Sequence, residues 1–145
     1  MTIVPVTRDR FPVWKTMRQA LYTGVDPEFH VAEMEHVFTS REMACFLAIA
    51  NEADAIGMLE LSLRSIVDGC IGGPVGYIEG IYLAPQHRGR GHGHAMLEWA
   101  ARWARTHGCH ELATDAEIDN ADAQAFYRNL GFEETWRTVQ FKKSL

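Results

Sequence analysis

A mixed α/β fold, a single domain over residues 1–145 with a central sheet flanked by helices, is predicted by three observations. Helical periodicity recurs in four segments and strand-like apolar runs in six, in the order strand, helix, helix, three strands, helix, strand, helix, strand. A chain of 145 residues is long enough for one real core and fits one domain. The strand expected over Val75–Leu83 also runs through a glycine-rich turn directly into a helix, a junction that builds an anion site from backbone.

Each element has its own signal. Thr2–Val6 reads as a short strand. Arg10–Tyr22 places Phe11, Trp14, Met17, Ala20 and Leu21 at helical spacing, and Gly24 breaks the pattern. Pro27–Phe38 carries Val31, Met34, Val37 and Phe38 on one face and predicts a second helix. Met43–Ala50 is an apolar strand, Asn51–Asp54 a tight turn, and Ala55–Ile66 the partner strand with Ile56, Met58, Leu59, Leu61 and Leu63. A glycine-rich loop, Asp68–Pro74, precedes the central strand Val75–Leu83. Gly91–His107 has Leu97, Ala100, Ala101 and Ala104 as its buried stripe and ends at Gly108. Glu111–Ala116 reads as a strand, Asn120–Leu130 as a short helix closed by Gly131, and Glu133–Lys142 as a last strand.

Composition excludes several classes. A net charge of −5 argues against nucleic acid, which calls for a basic stripe, and suits a cationic partner. No apolar run approaches the ~18 residues of a membrane span, so no membrane partner is expected, and the first ten residues lack a signal-peptide layout. Cys45, Cys70 and Cys109 are odd in number and form no C-x-x-C, so reduced thiols in the cytoplasm are the default. Among the seven histidines, His92 and His94 point to different faces of a helix and no H-E-x-x-H occurs, so no metal is expected. Trp99 and Trp103, four apart, read as packing residues.

The turn is the strongest chemical signal. After Leu83-Ala84-Pro85 come Arg88, Gly89, Arg90, Gly91, His92, Gly93 and His94, where the helix begins. Glycines let the main chain approach an anion, and the helix start aims unpaired N–H groups and its positive dipole end at it. A P-loop would need Gly-Lys-Ser/Thr, which is absent, and a dinucleotide fingerprint would need a third glycine where His94 stands. A pyrophosphate-bearing ligand is what remains.

The strand, R-G-x-G-x-G loop and following amphipathic helix resemble the acetyl-CoA-binding motif of the GCN5-related N-acetyltransferases (GNAT), and the element order matches that superfamily along nearly the whole chain. The resemblance implies a mixed, mostly antiparallel sheet whose fourth and fifth strands splay apart, with the pantetheine arm of acetyl-CoA in the gap. Acetyl transfer then sets three demands: a deprotonated amine, a polarised thioester carbonyl and an acid for the departing thiolate.

Glu79 is the first candidate for the amine, since a mid-strand carboxylate among apolar neighbours must be paired or solvated. It either binds the substrate ammonium and takes its proton, or forms a structural ion pair with an arginine. Asp115, across the expected gap, is the second candidate, against a plain strand-end role. Backbone N–H groups around Ile81, Tyr82 and Leu83 serve as polariser if a bulge frees them, with Leu83 or its immediate neighbour favoured by the resemblance. Tyr127 lies where many relatives place a thiolate-protonating tyrosine, against simple packing on the sheet. Asn120 matches a pantetheine-contacting asparagine, or is a plain N-cap.

A finer resemblance rests on residues 79–91, 114–120 and 130–135, with Trp14, Arg18 and Leu21 and with Leu59, Glu60, Ser62 and Arg64. These together are similar to the aminoglycoside 6′-N-acetyltransferases, which acetylate one amino group of a polycationic antibiotic and so give resistance. Asp115, Glu117, Asp119 and Asp122 suit such a substrate. Three positions depart from close relatives: Tyr22 replaces a tryptophan lining the sugar pocket, Ile66 or Val67 a tyrosine before the glycine loop, and Trp136 a glutamate of the final strand. Another small polyamine or a protein amine is therefore the alternative acceptor, and an acyl-CoA sensor without transfer a third reading. By position the 68–74 loop edges the substrate site. Relatives often form homodimers, and the mixed final strand suits pairing with a partner.

Overall fold

The computed structural model describes residues 1–51 and 54–145. Of the turn expected over residues 51–54, Glu52 and Ala53 lie outside the described residues. Five strands form one sheet: β1 (Thr2–Pro5), β2 (Met43–Ile49), β3 (Ala55–Arg64), β4 (Val75–Leu83) and β5 (Leu112–Thr114). They lie side by side in chain order. The first three pairings are antiparallel and β4–β5 is parallel. A parallel neighbour needs a crossover, and helix α3 (His92–Thr106) supplies it. The other helices are α1 (Phe11–Leu21), α2 (Pro27–Thr39) and α4 (Ala121–Asn129).

Local chemistry sets the helix starts. Asp26 caps α2 by accepting from the Glu28 N–H at 2.9 Å, with Pro27 in the first turn, where a missing N–H costs nothing. Asn120 caps α4 through the Ala123 N–H at 3.0 Å. A short 3₁₀ turn, Arg8–Arg10, precedes α1, so that helix begins one residue later than its periodicity predicts.

The sheet is buried on both faces, which is why β2 and β3 read as continuous apolar runs rather than alternating ones. One face holds Trp14, Met34, Leu47 and Met58 beneath α1 and α2. The other holds Leu59, Leu61, Ile78, Met96 and Ala100 beneath α3 and α4. Gly76 permits the close approach of α3, since a Cβ there would lie 2.6 Å from that of Ala104.

Two irregularities shape β4. Glu60 pairs with Gly80 but Leu61 pairs with Ile78, so Glu79 is the extra residue of a bulge in this strand. On its other side, β4 pairs with β5 only over Gly76–Ile78. From Glu79 to Leu83 it has no strand neighbour there, and this is the splay that the family resemblance implies.

The expected last strand, Glu133–Lys142, does not form; the segment after α4 carries no helix or strand. Its large apolar residues, which the strand pattern divides between two faces, stay exposed, Trp136 at 66%, Val139 at 77% and Phe141 at 92%. Alternation supplies a strand's side chains but not its hydrogen-bonding neighbour, and without one an extended segment gains no ladder. The fifth strand likewise shrinks from Glu111–Ala116 to Leu112–Thr114 where its pairing stops, and the third ends at Arg64 rather than Ile66.

Leu61→Ala opens a cavity at a fully buried point of the α3/α4 face. It is expected to cost about 2–5 kcal/mol in urea denaturation, with the unfolding slope unchanged.

Candidate active site

The pairing register assigns side chains to faces. Partners across a ladder share a face, so Glu60 and Ser62 lie with Gly80 and Tyr77, on the α1/α2 side. Ala113 pairs with Tyr77 and Thr114 with Ile78, which puts Asp115 on the α1/α2 side and Thr114 on the α3/α4 side. The gap between β4 and β5 thus has acidic groups on one face and Thr114 with Tyr127 on the other.

Behind the bulge lies a buried polar network. Glu60 Oε1 accepts from Trp14 Nε1 at 2.7 Å and from Arg18 Nη1 at 2.7 Å. Both ends of the Arg18–Glu60 pair are buried, the side chains 4% and 3% exposed; Arg18 also pairs with Glu33. Burial pushes the Glu60 carboxyl above its usual range, opposed by the Arg18 charge and the Trp14 N–H. The Tyr22 hydroxyl donates to the Glu79 carbonyl at 3.0 Å and lies 3.4 Å from Glu60 Oε2. Burial, then the Glu60 charge, raises the Tyr22 phenol well above its ordinary value. A Cβ at residue 80 would collide with that hydroxyl, which is why the position is glycine. Tyr22 therefore supports the backbone of the bulge from within.

Glu79 turns its carboxylate to Arg64. Arg64 Nη2 donates to Oε2 at 2.8 Å and to Oε1 at 2.9 Å, and Nε donates to Oε1 at 3.1 Å. Ser62 donates its hydroxyl to the same Oε1. The Arg64 guanidinium lies 3.4 Å from the centre of the Tyr77 ring. The Tyr77 phenol is raised by burial and then by the negative charge of Asp115, which places Asp115 in the same cluster. The arginine pairing, one of the two readings open for Glu79, is present.

Alternation along β4 decides which backbone groups face the gap. Ala84 N–H donates to Ile56 across the sheet at 2.8 Å, so the N–H groups of Tyr82 and Gly80 also turn towards β3. Those of Ile81 and Leu83 face the open side. The bulge at Glu79 turns them that way: Gly76 N–H donates to Glu111 on the β5 side at 3.1 Å, and the extra residue reverses the alternation before Ala84. The splay then leaves them without a β5 partner. Tyr82 presents its backbone to β3 and packs its ring on the α1/α2 face.

The glycine loop is built for an anion. Gly89 and Gly91 adopt φ of +70° and +80°, and nothing lies within 4 Å of a Cβ at either, so the space above the loop is open. Gly91 caps α3 without a side-chain bond, and the first helical bond runs from Ala95 N–H to its carbonyl at 3.0 Å. The N–H groups of His92, Gly93 and His94 have no helical acceptor and point outward. Arg88 Nε ties the loop to the Leu83 carbonyl at 2.9 Å, while Arg90 is exposed. Phe126 of α4 packs beneath Gly93. These residues fit a pyrophosphate-bearing ligand.

Tyr127 stands near the gap on the α3/α4 side, its hydroxyl 3.5 Å from Thr114 Oγ1. Burial raises its phenol, Asp115 adds to the rise, and Thr114 opposes it; it remains protonated through neutral pH. Asn120 spends its carboxamide oxygen on capping α4. Trp136 and Asp115 line one open groove together with Arg64 and Tyr77. Ile66 lies beyond the end of β3, 83% exposed, and is not drawn into the cluster around Glu79. Among the described residues no group of three or more His, Cys, Asp or Glu is placed to hold a metal.

Ser62, Arg64 and Tyr77 carry no role assigned from sequence alone. Their signal is present: Glu60, Ser62 and Arg64 alternate with Leu59, Leu61 and Leu63, a period-two polar stripe inside an apolar strand.

The sequence profile of the Acetyltransferase (GNAT) family matches residues 12–132. An aminoglycoside N(6′)-acetyltransferase type 1 of Serratia marcescens is 36% identical over 144 residues, covering 99% of both chains. That of Stenotrophomonas maltophilia is 37% identical over 99% of this chain and 94% of its own. The crystal structure of an aminoglycoside 6′-N-acetyltransferase from Acinetobacter haemolyticus superposes with a TM-score of 0.91 at 35% identity, covering 100% of this chain and 99% of that one. AAC(6′)-Iy in complex with a bisubstrate analogue, CoA-S-monomethyl-acetylneamine, superposes with a TM-score of 0.89 at 32% identity over 99% and 98%.

Tyr22→Phe keeps the ring and removes the donor to the Glu79 carbonyl. Leaving that part-buried carbonyl unpaired is expected to cost about 1–3 kcal/mol in urea denaturation.

Proposed function

We infer that this chain, which belongs to the acetyltransferase (GNAT) family, transfers an acetyl group from acetyl-CoA to the 6′-amino group of aminoglycosides. The observation that carries the reading is the gap itself. Two carboxylates stand on one face, a protonated tyrosine on the other, and unpaired N–H groups between them. Full-length similarity to enzymes named for that reaction supports the acceptor. Bound acetyl-CoA supplies a thioester-activated acetyl group; no metal is called for.

The chain's own residues divide the work. The N–H groups of His92, Gly93 and His94, with Arg88, Arg90 and the Gly89–Gly91 turn, hold the pyrophosphate. Ile81 offers its N–H to the arm, and Asn120 its remaining N–H₂. Leu83 N–H faces the gap where an oxygen gains negative charge during transfer. Glu79 and Asp115 bind the acceptor's ammonium, and Glu79 takes a proton from it. Tyr127 holds the proton that a departing thiolate requires. Trp136 walls the acceptor groove, and Tyr22 holds the bulge that aims Glu79.

Transfer is direct, within a ternary complex. The burial of the cysteines supports this: the Cys45 thiol is pushed up to about 12, and those of Cys70 and Cys109 are also raised by burial. None is an activated nucleophile. The three unpaired thiols suit the reducing cytoplasm. A homodimer is proposed through the segment after α4. It carries exposed Trp136, Val139 and Phe141 and follows a sheet whose β5 edge has no neighbour among the described residues.

Purified protein with acetyl-CoA should release free thiol in the presence of kanamycin or tobramycin. It should release none with an analogue bearing hydroxyl in place of the 6′-amine. Glu79→Gln is expected to lower kcat/KM for the acceptor about a hundredfold or more. Turnover of spermidine alone would transfer the protein to the polyamine acceptors. In sedimentation velocity the wild type should run as a two-chain particle and the Val139→Asp/Phe141→Asp variant as one chain. A wild-type monomer removes the dimer.

A further inference from the structure

The two arginine–glutamate pairs on the α1/α2 face differ in kind. Arg18–Glu60 is sealed, with side chains 4% and 3% exposed. Arg64–Glu79 is open, at 41% and 23%. A sealed pair cannot exchange partners without leaving a charge stranded. An open pair is held weakly against solvent and can be exchanged for another cation.

We propose that Arg64 is the resting occupant of the acceptor-amine site: its guanidinium holds the Glu79 carboxylate while no amine is bound and yields it to the acceptor's ammonium. This rests on the reading of Glu79 as an amine-binding carboxylate.

Three features lead to it. Oε1 of Glu79 already accepts from Ser62, Arg64 Nε and Arg64 Nη2, and Oε2 from Arg64 Nη2. Each carboxylate oxygen offers about two acceptor positions, so Oε1 is fully taken and Oε2 keeps one. An ammonium at Oε2 shares that oxygen with the guanidinium and gains the whole carboxylate only when the guanidinium withdraws. The groove wall carries Arg64, Tyr77 and Asp115, so a cation entering along it meets the guanidinium before it reaches Glu79. The Tyr77 ring, 3.4 Å from the guanidinium carbon, remains as a shelf once the carboxylate is released. Arg64 is then retained beside the site instead of being driven into water.

Charge sets the consequence. Glu79 and Asp115 carry two negative charges and Arg64 returns one, so the resting cluster attracts a polycation less than its carboxylates alone would. Arg64 therefore tunes acceptor affinity; it is not a group that reacts.

The test compares wild type, Arg64→Gln, Arg64→Lys and Glu79→Gln for acceptor KM, acetyl-CoA KM and kcat, with acceptor affinity by calorimetry in the presence of CoA. Arg64→Gln should lower the acceptor's KM and Kd roughly three- to tenfold and leave the acetyl-CoA KM unmoved. Its acceptor KM should also rise more steeply with salt than the wild type's. Ethylguanidinium should inhibit Arg64→Gln competitively against the amine and leave the wild type unaffected. Arg64→Lys, a point charge without the fork, should fall between, and it answers the question if Arg64→Gln does not fold. An unchanged or raised acceptor KM in Arg64→Gln, or a loss of kcat restored by Arg64→Lys, overturns the proposal and makes Arg64 a residue that orients Glu79. The underlying reading fails separately, and takes the proposal with it, if Glu79→Gln leaves the acceptor KM and kcat at wild-type values.

Discussion

A carboxylate inside a hydrophobic core must be fully partnered, and Glu60 meets that demand with Trp14 and Arg18, while Tyr22 lies at its edge. Removing one partner of such a pair typically costs about 3–5 kcal/mol, because a bare charge is left behind. The partners come from α1 and the carboxylate from β3, so the network fixes the register of helix on sheet beneath the bulge. Tyr22 carries that constraint to the backbone by capping the Glu79 carbonyl. The extra residue of the bulge then turns its own carboxylate towards the gap side of the same face.

The placement of chemistry on two faces comes from short pairing. β4 and β5 share only three pairs. Beyond them the chain diverges and leaves the N–H groups of Ile81 and Leu83 without a strand partner. A longer β5 would close the gap and satisfy those groups, and the site would become ordinary sheet. The same opening has Tyr127 on its α3/α4 side and the acidic cluster on its α1/α2 side. Arg64 and Ser62 hold the Glu79 carboxylate in place on the α1/α2 face.

Much of this is legible in the chain. The glycine loop, the strand before it and the amphipathic helix after it are local features, each written in a few consecutive residues, and they lie where the periodicity puts them. Glu79 stands out as a charge in an apolar strand, and its need for a partner is plain from that alone. The identity of the partner is not, because Arg64 lies fifteen residues away and reaches Glu79 only through the β3–β4 register. Tyr22 is a similar case. As a sequence position it is an aromatic residue at the end of a helix with a face to offer a sugar, and packing turns its hydroxyl inward. The last strand fails for the converse reason: residues 133–142 read as a strand by pattern, yet among the described residues they pair with no strand, although β5 ends the sheet with an open edge.

Short-range stereochemistry is thus the part of this protein that can be read residue by residue. Helix periods, caps, glycines with positive φ, and the family's loop all depend on neighbours within a few residues. Three outcomes needed the folded chain: which β4 amides face the gap, which carboxylate is sealed and which lies open, and the failure of residues 133–142 to pair among the described residues. They depend on register and burial, and both are set by contacts between segments far apart in sequence.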